Sequence, residues 1–133
     1  MSLSPSLKNY IFAIDPQLDD VDTETLANFE TWATKLDALN AALIEDSRDP
    51  IGIRMGWMAD ANNTQDNNAY LESMHESGDA LDLDDFDGSL YTYLTQSGLL
   101  DTIDLYVCDN SLTSGYIHIQ LVDHSSVDRI FTP

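Results

Sequence analysis

Leu26, Phe29, Trp32, Leu36, Leu39 and Leu43 recur at steps of three and four residues. On a helix of 3.6 residues per turn they form one apolar stripe. Glu30 and Asp37 fall on the opposite face, with Glu45 near its edge. Asp22 or Thr23 can cap the start, and Glu24 sits in the first turn, where the helix dipole favours an acid. The pattern fades by Ser47, and Pro50 prevents continuation. A one-sided stripe of this length must be buried against something, and the remaining segments supply strands.

Asn9 to Asp15 is rich in strand formers and is stopped by Pro16, which predicts a first strand. Residues 1–8 read as a flexible start. Ile51 to Ala59 alternates, with Ile51, Ile53, Met55 and Trp57 on one face, and predicts a second strand. Asp60 to Asn68 is polar and Asn-rich, a loop. Ala69 to His75 predicts a short helix with Leu71 and Met74 turned inward, ended by Gly78. Thr102–Cys108 and Gly115–Val122 both alternate across a short polar linker and predict a hairpin. Val127–Phe131 reads as a short edge strand.

Leu81 to Gly98 supports two readings. In one, Asp84, Asp85 or Asp87 caps a helix whose stripe is Phe86, Leu90 and Leu94, stopped by Gly98. In the other, Asp87-Gly88 is a tight turn between two strands, consistent with the strand propensity of Tyr91, Thr92, Tyr93 and Thr95. The stripe and the Gly98 stop favour the helix. The expected fold class is α+β: a single layer of mainly antiparallel sheet, about four or five strands. One long and one or two short helices pack on one face of it. The length of 133 residues predicts one acidic domain over 1–133.

Charge sets the function classes. The chain has 24 Asp and Glu against 5 Lys and Arg, a net charge of −19. From Met55 to Asp128 there is no Lys or Arg at all. An apolar fraction of 43% is that of a folded protein, so the charge belongs on its surface. Direct nucleic-acid binding is excluded, because phosphates are neutralised by Lys and Arg. Anionic membranes would repel the chain, and no apolar stretch approaches the ~20 residues of a membrane span. The N-terminus has no signal-peptide pattern, and the single Cys108 allows no intramolecular disulfide; both point to the cytoplasm. Cys108 lies in an apolar stretch, a setting for a buried, inert thiol.

Catalytic and cofactor signatures are missing. No nucleophile elbow or phosphate-binding loop occurs, so no enzyme activity and no cofactor are expected. An EF-hand aligned on Gly88 would place Leu83 and Leu94 at required ligand positions, and fails. Among His75, His118, His124 and Cys108 no pair has zinc-site spacing, so no metal site is expected. His118 shares a strand face with Tyr116 and Gln120, away from Ile117, Ile119 and Leu121, the pattern of a half-exposed histidine.

The acidity then reads as a binding surface for a basic protein, one that itself binds nucleic acid. An acidic protein can occupy a groove built for DNA. Candidate contacts are Glu30 and Asp37 on the long helix, and Glu72, Glu76, Asp79, Asp82, Asp84, Asp85 and Asp87 in the denser segment. Tyr91 and Tyr93 would be aromatic anchors. This is the composition of DNA-mimic inhibitors of the antirestriction or anti-CRISPR kind; the likeness is in composition, not in a motif. An immunity protein or acidic chaperone for a basic toxin or effector has the same physics. So does a salt-adapted protein whose acidity has no specific partner.

Overall fold

The computed structural model describes residues 23–56, 69–123 and 128–132. The predicted strand at Asn9–Asp15, the start at 1–8, the loop at 60–68, Asp22 and His124 lie outside these residues.

The stripe forms helix α1, Thr23–Glu45. Phe29, Trp32, Leu36, Leu39 and Leu43 are buried, each side chain contributing about 1.5–3 kcal/mol. Leu26 is the exception at 42% exposed, because it sits at the margin of the stripe. The Trp32 indole N–H donates to the Gly78 carbonyl at 3.0 Å, so the largest core side chain also has its polar atom satisfied.

The sheet follows in chain order: β1 Ile53–Met55, β2 Ala80–Asp84, β3 Tyr106–Cys108, β4 Tyr116–Gln120 and β5 Ile130–Phe131. Its spatial order is β1-β2-β4-β3-β5. All neighbours are antiparallel except β3 and β5, which run parallel. The helices between strands are α2 Ala69–Glu76, α3 Ser89–Ser97 and α4 Leu99–Ile103. The fold is α+β with one mainly antiparallel sheet, one long helix and short helices, and β5 forms one edge.

Local expectations are met in part. Between Leu81 and Gly98 the helix after the Asp cap forms, as Ser89–Ser97, and the hairpin does not; the stretch ahead of it belongs to strand β2. Gly98 ends α3 with φ +80°, as the helix reading required. Phe86 leaves the expected stripe and is 81% exposed. The predicted strand at Thr102–Cys108 begins only at Tyr106, because Leu99–Ile103 continues helically and Asp104 turns the chain with φ +64°. The Lys35 ammonium closes that helix, donating to the Ile103 and Asp104 carbonyls at 2.6 and 2.8 Å. The β3–β4 hairpin pairing itself forms, with Tyr106 opposite Gln120 and Val107 opposite Ile119.

Helices cover both faces of the sheet rather than one. Leu81, Leu83, Val107, Ile117 and Ile119 point to the face packed by α1, α3 and α4. On the other face Leu71 of α2 packs with Cys108 and Phe131, flanked by Tyr70 and Tyr106. Every residue of the central strand β4 is therefore buried. Alternation along β2 and β4 separates apolar from polar faces as expected, but the polar face is also inside.

Candidate functional site

The Asp-rich segment is mostly committed to the protein's own structure. Asp79 accepts from the Asn28 amide at 3.1 Å and from the Ser77 hydroxyl at 2.6 Å, joining α1 to the turn after α2. Gly78 makes that turn with φ +80°; a Cβ there would stand 2.9 Å from Thr25 Cγ2. Asp84 pairs with Arg54 at 3.0 Å. Asp85, 8% exposed, accepts from the backbone N–H groups of Leu90 and Tyr91 at 3.0 and 2.9 Å. It thereby satisfies two of the orphan donors of α3 from outside the helix. Asp87 is exposed and accepts from Ser89 N at 3.0 Å, a bond that holds its carboxyl below the usual range.

The two tyrosines are half-buried. Tyr91 packs against the core, and desolvation raises its pKa. Tyr93 donates to Asp46, which raises its pKa, and carries the Arg48 guanidinium 4.3 Å above its ring. Glu30 and Asp37 are exposed on the outer face of α1, as expected, and Glu76 is exposed at the end of α2. Glu72 lies within α2. The segment 79–87 is thus not one acidic surface, and only Asp87 of its acids is exposed.

Asp82 is the largest departure. It is 0% exposed, as are His75 and His118. Asp82 stands directly opposite His118 in the β2–β4 ladder, so both side chains rise from the same face. His75, from the last turn of α2, comes down onto the same point. Asp82 Oδ1 lies 3.0 Å from His75 Nε2 and 3.1 Å from His118 Nδ1. The two imidazoles meet edge to face with centroids 5.1 Å apart.

Each ring's second nitrogen is also held. His75 Nδ1 is 2.9 Å from the Gly56 carbonyl, and His118 Nε2 is 3.0 Å from Gln120 Oε1. The Gln120 amide nitrogen donates to the Val122 carbonyl and the Tyr70 hydroxyl, both at 2.8 Å. Asp82 Oδ2 has no hydrogen-bond partner among the described residues.

The half-exposed reading of His118 is therefore wrong. The cluster was illegible because His75, Asp82 and His118 come from three separate segments, and their convergence depends on strand register. One signal was present: in LDLD and YIHIQ the polar positions alternate strictly with Leu and Ile, so register would bring Asp82 and His118 together.

No helix among the described residues is long and apolar enough to cross a membrane. Comparison with known proteins finds no significant match to a family model, a curated protein or a solved structure.

Proposed function

We propose that this protein is an acidic inhibitor that binds a basic, nucleic-acid-binding protein and covers its DNA-contacting surface. The observation that carries the reading is the outer side of α1. Glu30 and Asp37 are exposed there, seven residues and about 10 Å apart. Ala27, Thr34, Ala38 and Ala41 lie around them, small enough to leave the carboxylates prominent. Glu45 and Asp46 add charge at the helix C-terminus, where no basic residue stands in the last turn. Asp46 accepts from Tyr93, but Glu45 opposes the helix dipole at that end, so the dipole does not account for it.

The cations among the described residues offer little compensation. Lys35 caps α4, Arg48 stacks on Tyr93, Arg54 holds Asp84, and Arg129 bonds Asp101 and Asp104. A field of this sign steers a basic partner and repels nucleic acid. The proposed contact residues are Glu30 and Asp37 with Glu76 and Asp87; Asp82 and Asp85 drop out because they are buried. The proposed setting is the cytoplasm, and the reading requires no catalysis.

The test is capture of partners from the native host with immobilised full chain, followed by challenge with duplex DNA. A nucleic-acid-binding protein should be retained at low salt and released by DNA. Replacing Glu30→Lys together with Asp37→Lys should abolish retention. Failure to retain any such protein, or retention unaltered by the double replacement, would overturn the proposal.

A further inference from the structure

The hydrogen bonds around Asp82 fix where the imidazole protons lie. A carbonyl oxygen only accepts, so His75 Nδ1 must carry a proton to bond Gly56 O at 2.9 Å. The Gln120 amide is oriented by its donation to the Val122 carbonyl, so Oε1 is the atom facing His118. His118 Nε2 must then carry a proton as well. A neutral imidazole has one N–H. The lone pairs of His75 Nε2 and His118 Nδ1 therefore both point at Asp82 Oδ1, itself an acceptor.

Three electron-rich atoms converge in a fully buried place. One proton on Asp82 Oδ1 could satisfy only one of the two imidazoles. Protonating both rings would bury two cations beside one carboxylate and still leave Oδ2 without a donor among the described residues. A divalent cation engages all three lone pairs and has Oδ2 available as a further donor.

We propose that His75, Asp82 and His118 form a structural site for a divalent transition metal of the zinc class, pinning α2 to strands β2 and β4. Candidate ligand atoms of the three residues all lie within 4.8 Å of one another. The O–N separations of 3.0 and 3.1 Å are a few tenths of an ångström shorter than the ~3.4 Å edge of a tetrahedral shell with ligands about 2.1 Å from the ion, so a small outward movement of the side chains admits one. Two imidazoles and one carboxylate suit zinc or iron(II); calcium and magnesium prefer all-oxygen sets. The outer partners fit the same role. Metal-bound histidines donate their other N–H to a carbonyl or carboxylate, as His75 does to Gly56 and His118 to Gln120. This site is independent of the acidic face of α1.

The experiment titrates the chelator-stripped full chain calorimetrically with zinc, at a salt concentration that suppresses the surface carboxylates. Calcium and magnesium serve as comparators. The expected result is one zinc per chain, bound at least about 100-fold more tightly than either comparator. His75→Gln and His118→Gln should each weaken zinc at least about 100-fold, and Gln120→Ala about 10- to 100-fold. Zinc-edge X-ray absorption of the loaded wild-type chain, which needs no variant to fold, should show two imidazole nitrogens. Absence of stoichiometric zinc binding, affinity unchanged in both histidine variants, or an all-oxygen absorption signature would overturn the proposal.

Discussion

The two faces of the sheet are both buried, yet one is apolar throughout and the other sets a polar cluster beside Leu71, Cys108 and Phe131. On one face Leu81, Leu83, Val107, Ile117 and Ile119 meet α1, α3 and α4 through dispersion and area burial alone. On the other, Asp82, His118 and Gln120 sit under α2 in a chain of close polar contacts running from Gly56 to Val122. An apolar face gains stability in proportion to area and tolerates modest repacking. A buried polar face gains little net stability from its bonds and loses much if one member goes missing. Asp82 and Asp37 make the same contrast in one residue type: one wholly inside, the other on the surface of α1.

The largest expected effect separates the faces most sharply. With zinc bound, Asp82→Ala should lower unfolding stability by about 3–5 kcal/mol, because the buried cation loses its one anionic partner. Replacing His75, Asp82 and His118 together by apolar residues of similar volume should lose far less than the sum of the single changes. Denaturant titration of the wild type, the three single variants and the triple variant checks both statements, and additive losses would erase the distinction between the faces. On the apolar side, Ile119→Ala should cost about 2–5 kcal/mol by leaving a cavity, with no change in zinc affinity. Calorimetry on a folded Ile119→Ala protein tests that independence.

Smaller effects come from the acids that hold loops. Asp85→Ala should cost about 0.5–2 kcal/mol through two uncapped N–H groups, read as a lowered denaturation midpoint with unchanged slope. Arg129→Gln should cost under about 1 kcal/mol, since its bonds to Asp101 and Asp104 are exposed. Its pH dependence has a definite sign. The Arg129 hydrogen bond holds the Asp104 carboxyl below its ordinary value. That stability is present above the unfolded carboxyl pKa and is lost as pH falls through the lower folded value. The difference between wild type and Arg129→Gln should therefore shrink in acid, as measured by unfolding between neutral pH and about pH 3. Glu30→Lys with Asp37→Lys should leave stability within about 0.5 kcal/mol, for those side chains are exposed and make no hydrogen bond or ion pair among the described residues.

How far the sequence reached follows the same division. Helix α1 was legible because a period of three and four from Leu26 to Leu43 admits one solution. The β3–β4 pairing was legible because two alternating runs flank a short polar linker. Residues 81–98 were half legible: Asp87-Gly88 is a genuine boundary, and Gly98 a genuine stop. However, the strand ahead of the turn belongs to the hairpin reading and the helix after it to the helix reading, so neither reading alone covered both sides. The capping role of Asp85 was visible as a possibility, since an acid ahead of an apolar stripe is a start signal. The burial of Asp82 was not. An Asp in an acidic run reads as solvated, and only the 36-residue separation closed by the β2–β4 register places it against His118. The polar face of an alternating strand reads as exposed unless one knows that α2 covers it.

Thermal unfolding of the full chain in chelator and in excess zinc tests the central contrast most directly. A ligand bound only by the folded state adds about 2.7 kcal/mol at a free concentration of 100 Kd. The polar face as a metal site predicts a rise of several degrees in wild type, no rise in His118→Gln, and no rise with calcium or magnesium at the same concentration. An unchanged wild-type midpoint, or an equal rise with all three ions, would contradict it.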